Sequence, residues 1–398
     1  MNILVFSQYF HPERFLINEI CYGLVKRGHK VTIVTGQPNY PEGKIYKGYK
    51  NKTCTERIQG VKVIRCKIIP RGNSHIKLAL NYFSYMISTS FLQKRLKKKY
   101  DVVFVYQLTP VLQIFPAIQY CKRNRKKLFC YCLDLAPASG QSVLSKVPFA
   151  MNTYKKFARY LYNSCDLIAV TSKSFIKYFN DVHSVDSKRL IYIPQHASEI
   201  FLEEDLSKAR TAKIEFMFAG NIGTVGSLDT IIYAAETLKN KNYNNFVIHF
   251  VGEGSYKKDL IKLVNQKGLS ETVLFHDAVS QEQMPEYYRK VDALLVTLCK
   301  NNVTIPGKVQ AYMAVGKPIF GAMNGSGFDL INESKCGVCV EAENAIALAK
   351  IMEDFILNPQ KYEECGHNGK RYFRNHFTLE HYINSLESCF EAIKDNSK

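Results

Sequence analysis

No run of 18 apolar residues occurs in the 398-residue chain, and its opening, MNILVFSQYF, has no basic segment ahead of its apolar residues. The first absence excludes an apolar membrane-spanning helix. The second argues against a secretory signal, so the expected compartment is the cytoplasm. The twelve cysteines, at 21, 54, 66, 121, 130, 132, 165, 299, 336, 339, 365 and 389, lack the spacing of a disulfide framework. Only Cys336-Gly337-Val338-Cys339 forms a CxxC, with no second pair or paired histidine nearby, so these residues read as core thiols in a reducing compartment rather than a metal or redox centre. Internal repeats, low-complexity tracts and Asp-x-Asp pairs are absent. So are a helix-turn-helix, a zinc finger and an aromatic RNP strand, which leaves charge as the only argument for nucleic acid and sets that partner aside.

Acidic residues are scarce in one half only. Residues 1–190 hold 32 Lys+Arg against 9 Asp+Glu, a balance of +23, whereas the remainder holds 22 against 26, or −4. A basic half joined to a near-neutral half points to one face that meets a polyanionic surface.

With 46% hydrophobic residues, a chain of this length fills two cores rather than one. Short apolar runs at 3–6, 31–34, 61–66, 102–106, 128–132 and 167–170, then at 215–219, 247–251, 273–275, 293–296 and 318–320, alternate with helical patterns. Repeated βα units imply parallel sheets covered by helices, hence an α/β fold of two doubly wound, Rossmann-like domains facing a cleft. The apolar run ending at Pro194 passes into a polar stretch, 195–212, which reads as a linker. The expected domains are 1–194 and 195–375.

Residues 76–99 carry Ile76, Ala79, Leu80, Phe83, Met86, Ile87 and Phe91 on one helical stripe and end in Lys94, Arg95, Lys97, Lys98 and Lys99. An amphipathic helix with a basic end lies in an anionic membrane interface, each basic residue contributing about 1 kcal/mol; the core face of a buried helix has the same apolar pattern. The run from Lys122 to Lys127 reads as a solvated loop.

The most informative stretch follows the apolar run 291–298. A loop carrying Pro306, Gly307 and Lys308 leads into a helix near Val309, which Gly316 and Pro318 stop. A helix N-terminus with a lysine beside it suits a diphosphate; a solvated loop lysine is the alternative. The segment Pro306-Gly307-Lys308, followed by Tyr312-Met313-Ala314 and Gly316-Lys317-Pro318, resembles the strand-loop-helix of retaining, nucleotide-sugar-dependent glycosyltransferases of family four. The opening MNILVFSQYFHPE, the stretch GHKVTIVTG, FMFAGNIGTVGSLDTII in mid-chain, HFVGEGSYKKDL and VLFHDAVSQEQMPEYY extend the resemblance over most of the chain. Among members it is similar to bacterial surface-polysaccharide enzymes that add N-acetyl-L-fucosamine or a related 6-deoxy amino sugar.

That resemblance implies the GT-B fold, with residues 376–398 crossing back onto the first domain. It implies transfer from a UDP-sugar to a polyprenyl-diphosphate-linked saccharide, in capsule or O-antigen type synthesis at the inner face of the plasma membrane. The nucleotide sugar is a substrate, and neither a cofactor nor a metal is expected. Donor-side residues would be Gly220, Asn221, Gly223, Glu253, His276, Pro306, Gly307 and Lys308, with Lys308 neutralising the leaving diphosphate. On the acceptor side would lie Gln8, Tyr9, His11, Asn39 and Tyr40. Asp134 would position acceptor or sugar, and as a helix N-cap it has an equally ordinary explanation. The chain departs from the family where many members carry two glutamates, since Val303 and Ala311 occupy those positions, and where a basic pair follows Gly-Asn, since Thr224-Val225-Gly226-Ser227 stands there. Ala136 and Ala138 replace a tryptophan and a glutamate of the relatives. Two rivals stand beside this reading: another GT-B enzyme such as a sugar-nucleotide epimerase, which would pack catalytic carboxylates and histidines around the cleft, and a catalytically silent assembly partner at the membrane, which these losses make credible.

Overall fold

The computed structural model describes residues 1–72, 74–97, 99–136, 148–208, 211–301 and 306–394, so Lys98, Ala138 and Val303 lie outside the described residues. The chain divides into two compact units, Met1–Gln195 with Leu379–Lys398, and His196–Thr378.

The first unit is built on β1 (Asn2–Phe6), β2 (Lys30–Gly36), β3 (Cys54–Ile58), β4 (Val61–Cys66), β5 (Val102–Gln107), β6 (Leu128–Cys132), β7 (Leu167–Val170) and β8 (Leu190–Tyr192), in the sheet order β3-β4-β2-β1-β5-β6-β7-β8. Every pairing is parallel except β3 with β4. That hairpin departs from the all-parallel expectation. It turns on Gln59 and Gly60, both at positive φ (46° and 82°), as a two-residue turn joining twisted strands requires. All six residues of β5 are buried, the mark of a central strand covered on both faces. Helices α1 (Ile17–Lys26), α2 (His75–Leu92), α3 (Ile114–Asn124), α4 (Pro148–Asn163) and α5 (Lys173–Tyr178) connect the strands. The terminal helix, Leu379–Ile393, belongs to this unit and buries Tyr382, Ile383, Leu386, Cys389 and Phe390 in the cluster that holds Phe104, Phe129 and Tyr131. It packs closely on α1 at Gly23, where a Cβ would lie 2.2 Å from Ile383 Cδ1.

The second unit has a six-stranded, wholly parallel sheet in the order β11-β10-β9-β12-β13-β14, formed by β9 (Ile214–Ala219), β10 (Phe246–Val251), β11 (Val273–His276), β12 (Ala293–Thr297), β13 (Ile319–Ala322) and β14 (Gly337–Val340). Its helices are α6 (Asp229–Asn240), α7 (Lys257–Gln266), α8 (Met284–Tyr288), α9 (Gly307–Val315), α10 (Ser326–Ser334), α11 (Ala345–Leu357) and α12 (Glu363–His376). From His196 on, the stretch read as a linker belongs to this unit: Phe201, Leu202 and Leu206 are buried in its core beside Tyr288 and Tyr312. Their apolar contacts anchor a segment whose charges are on its surface.

Candidate functional site

In the second unit, the donor-side residues gather where β9 and β10 end. Gly220, at φ +132°, turns the chain out of β9, and a Cβ there would lie 2.5 Å from Lys308 Cε. On Gly252, at φ +149°, a Cβ would lie 2.0 Å from the Gly220 carbonyl oxygen. Glycine at 252 therefore lets the two loops meet backbone to backbone, and glycine at 220 leaves room for the Lys308 stem. The Ile222 amide donates to the Glu253 carbonyl at 2.8 Å, and the Tyr256 amide to the Ile222 carbonyl at 3.0 Å. Asn221 lies against Gly254, and its side chain against Gly223.

Above this pair of loops starts α9, with Pro306 as N-cap residue and no side-chain cap. Lys308 is in the first turn of the helix, not in the loop ahead of it. Its stem covers Gly220, and its ammonium sits 3.9 Å from the centre of the Phe218 ring. Among the described residues it has no carboxylate partner, and burial alone lowers its pKa to about 8. An ammonium that has lost water and gained only an aromatic face is poised for an anion. Tyr312, one turn on and fully buried, fixes this geometry: its hydroxyl accepts from the Ala219 amide at 2.7 Å and donates to the Ala219 carbonyl at 3.2 Å. Ala311 lies beside Tyr312 on α9, and Val303 is outside the described residues.

Glu253 and His276 have partners already. Lys257 bridges Glu253 (2.6 Å), Asp277 (3.1 Å) and the His276 carbonyl (3.1 Å). The His276 ring turns back to His249 at 2.9 Å, which meets Glu215 at 2.9 Å, and burial lowers both histidines. The neighbouring turn 224–226 is pinned by Thr297, whose hydroxyl donates to the Gly226 carbonyl at 2.6 Å. Among the described residues no group of three His, Cys, Asp or Glu side chains is arranged to hold a metal ion.

In the first unit, Gln8, Tyr9, Asn39 and Tyr40 come together, but only Tyr40 is exposed. Gln8 donates to Asn81 at 2.7 Å, and Asn39 accepts from the Arg71 amide at 2.8 Å; both are 1% exposed, which makes them pins between loops rather than ligands in waiting. Tyr9, Phe15 and Tyr40 form an aromatic cluster with centroids 4.8 to 5.6 Å apart. His11 stands aside, its carbonyl accepting from Arg65 and its amide donating to Asn18. Asp134 caps no helix among the described residues: its carboxylate accepts from the amide (2.8 Å) and the hydroxyl (2.9 Å) of Thr109, tying the ends of β5 and β6 together.

Sequence reasoning missed three members of this cluster. Glu13 is 1% exposed, and one carboxylate oxygen accepts from the amides of Asn39 (2.8 Å) and Tyr40 (2.7 Å) while the other is buried without a partner. Burial raises its pKa to about 7. Arg71 donates to the Tyr9 hydroxyl at 3.2 Å and lies 5.2 Å from the Tyr40 ring centre, and Tyr82 of α2 faces the same guanidinium. One signal was available for Glu13, an acid beside the first strand in a half with only nine of them. Arg71 was one base among many.

Most of the apolar stripe of α2 lies on the outer side of the helix. Ile76, Leu80, Phe83, Ile87 and Phe91 are all exposed, from 45% for Leu80 to 75% for Ile76, while Asn81, Tyr85 and Thr89 are the buried residues. The apolar stripe is therefore not the core face. The buried polar groups are satisfied: Tyr85 donates to the Val34 carbonyl at 3.0 Å and Thr89 to the Tyr85 carbonyl at 2.6 Å. At its end Lys94 sits over the Phe91 ring, and Arg95, Lys97 and Lys99 follow.

Residues 203–372 match the family described as glycosyl transferases group 1, and residues 16–196 match the glycosyl transferase 4-like domain. The chain belongs to the group 1 glycosyltransferases, with a 4-like first unit, on the GT-B architecture of two Rossmann-like domains. It is 23% identical over 97% of its length to the whole of WcaI from Escherichia coli K12, a glycosyl transferase attributed to colanic acid biosynthesis. Its fold is similar to sucrose-phosphate synthase of Thermosynechococcus elongatus (TM-score 0.74, 14% identity, 98% of each chain). It is also similar to Anabaena Alr3699/HepE, solved in complex with UDP (TM-score 0.71, 14% identity, 98% of this chain and 100% of that one).

Proposed function

We propose that this enzyme is a retaining, metal-independent transferase that moves a sugar from a UDP donor to a polyprenyl-diphosphate-linked saccharide in surface-polysaccharide synthesis, N-acetyl-L-fucosamine or a related 6-deoxy amino sugar being the sugar we expect. The observation that carries this reading is Lys308: half-buried, without a carboxylate among the described residues, stacked on Phe218 and over Gly220 at the start of α9. A diphosphate seated there supplies the missing counter-charge. As the bond from the anomeric carbon to the phosphate oxygen breaks, negative charge grows on the leaving UDP, where the ammonium and the helix amides stabilise it. The acceptor oxygen bonds to the same carbon from the same face, and its proton passes to a donor phosphate oxygen. No protein nucleophile is needed. The UDP-bound HepE and the colanic acid relative support the donor and the setting.

The exposed stripe of α2 and the bases after it support peripheral attachment to an anionic bilayer on the cytoplasmic side. Phe83, Ile87 and Phe91 would enter the interface while Lys94, Arg95, Lys97 and Lys99 meet the head groups.

The deciding experiment is a panel of nucleotide sugars incubated with lipid-linked acceptors and read by mass spectrometry, with calorimetry for UDP. A single UDP-sugar consumed with retention is the expected result. Absence of UDP binding would leave a silent assembly partner as the better reading. Transfer is also expected to survive saturating EDTA, because the lysine and amides already supply charge where a Mg²⁺ would act. An enzyme that stops in chelator and recovers with Mg²⁺ overturns the metal-independent part.

A further inference from the structure

The cluster around Arg71 has a chemistry that the donor side does not explain. Arg71 follows β4 in a loop held at three points: its amide donates to Asn39 at 2.8 Å, Asn81 of α2 donates to the Ile69 carbonyl at 2.6 Å, and the Ile69 amide donates to Ser84 at 2.8 Å. The next residue, Gly72, donates to the Gly43 carbonyl at 3.0 Å. The guanidinium is thus placed by a rigid backbone. Around it stand three tyrosines, with Tyr9 accepting one hydrogen bond, Tyr82 facing it from α2 and Tyr40 lying against its plane.

Among the described residues no carboxylate pairs with Arg71, although it is half-buried. Phenol oxygens occupy part of its five-donor fork and neutralise none of its charge, so the remaining N–H groups are left to an anion with two or more oxygens. Location narrows the anion further. Ile69, two residues before Arg71, is 44% exposed, and Leu80 and Phe83 flank Tyr82 on the exposed stripe of α2. Arg71 therefore stands at the border between an apolar outer surface and an aromatic cluster whose exposed member is Tyr40.

We propose that Arg71 receives the phosphate groups of a prenyl-diphosphate-linked acceptor, with the lipid chain leaving toward the α2 stripe and the first sugar resting on the face of Tyr40. This deepens the function proposed above and rests on it for the acceptor's identity. A phosphate in this position has two sources, the diphosphate of the acceptor or the head group of a membrane phospholipid, and the acceptor is the one we assign.

Farnesyl diphosphate, farnesol and phosphatidylglycerol vesicles separate these sources when titrated against the full chain with excess UDP present. Wild type is expected to bind farnesyl diphosphate at least tenfold more tightly than farnesol. Arg71→Gln is expected to lose about tenfold or more of that affinity, and Arg71→Lys, which keeps charge and stem but not the fork, to lose less. UDP affinity and vesicle binding should be unchanged in both. Wild-type affinity for farnesyl diphosphate in a folded Arg71→Gln protein overturns the proposal. So does a variant that loses vesicle binding yet keeps the prenyl diphosphate, because the head group is then the ligand. If Arg71→Gln does not fold, Arg71→Lys carries the test alone, and farnesyl diphosphate binding equal to wild type in it is the overturning result. Failure of the donor reading is seen separately, as the absence of UDP binding to wild type.

Discussion

A lysine at a helix start is an unremarkable thing until its surroundings are counted. Lys308 has lost water, gained only the Phe218 ring, and titrates near 8 for that reason alone. The sign of the consequence follows. A lysine whose folded pKa lies below its unfolded value destabilises the fold at all pH values below about 8, and the penalty is relieved as pH rises from there toward 10.5. Lys308→Met, which keeps the stem over Gly220, should raise stability at pH 7 by about 1–2 kcal/mol, allowing for partial exposure, and lower turnover by ~10²–10³. Denaturant titration and transfer rate check the pair; a variant that is no more stable and fully active removes the lysine from the leaving-group position. UDP affinity should also hold steady up to pH 8 and then weaken by up to tenfold per unit as the free amine loses its proton, whereas Lys308→Arg should keep the plateau. A wild-type affinity flat to pH 9.5 would contradict the titration assigned to this amine.

At the scale of elements, α2 is an inverted helix. Asn81, Tyr85 and Thr89 face inward with their hydrogen bonds made, and Ile76, Leu80, Phe83, Ile87 and Phe91 face out. Phe83→Ser with Ile87→Ser should therefore leave the unfolding free energy within about 0.5 kcal/mol of wild type, as exposed substitutions do, and cut binding to phosphatidylglycerol vesicles by tenfold or more. A marked loss of stability with vesicle binding intact would mean that the stripe is packing after all. The periodicity of residues 76–91 was readable, but its direction was not, because a 3.6-residue repeat marks two faces without saying which is wet. The same limit explains the other departures. The strand β3, Cys-Thr-Glu-Arg-Ile, has two charged residues in five and lies at a sheet edge, so it has no apolar run to announce it. Phe201, Leu202 and Leu206 were too few among charges to mark a docked segment, yet they are buried. By contrast the central parallel strands, apolar on both faces, and the Pro306-Gly307-Lys308 turn were legible to within a residue or two, since burial on both sides and helix stops leave one-dimensional traces. Arg71 and Glu13 were not, because their meaning comes from loops that meet only in three dimensions.

For the molecule as a whole, the chain's last described segment completes the first unit after the second has been built. Leu379–Ile393 presents Phe390 to Phe104 and Phe129 at centroid distances of 5.6 and 5.5 Å, and Tyr382 to Tyr131 at 5.3 Å. Arg27 and His29 reach Glu387 at 2.9 and 2.7 Å, though partly solvated pairs of this kind contribute little. The apolar contribution is larger: five buried side chains at roughly 1.5–3 kcal/mol each approach the net stability of a whole domain, which is about 5–15 kcal/mol. A chain ending at Thr378 should therefore lose the cooperative unfolding of the first unit, expose its tyrosine and phenylalanine cluster to a hydrophobic dye, and aggregate, while His196–Thr378 keeps its own core. Adding the peptide 379–394 in trans should restore part of the lost transition. Two cooperative transitions in the truncated chain, unchanged from wild type, would show that the terminal helix decorates the first unit rather than closing its core.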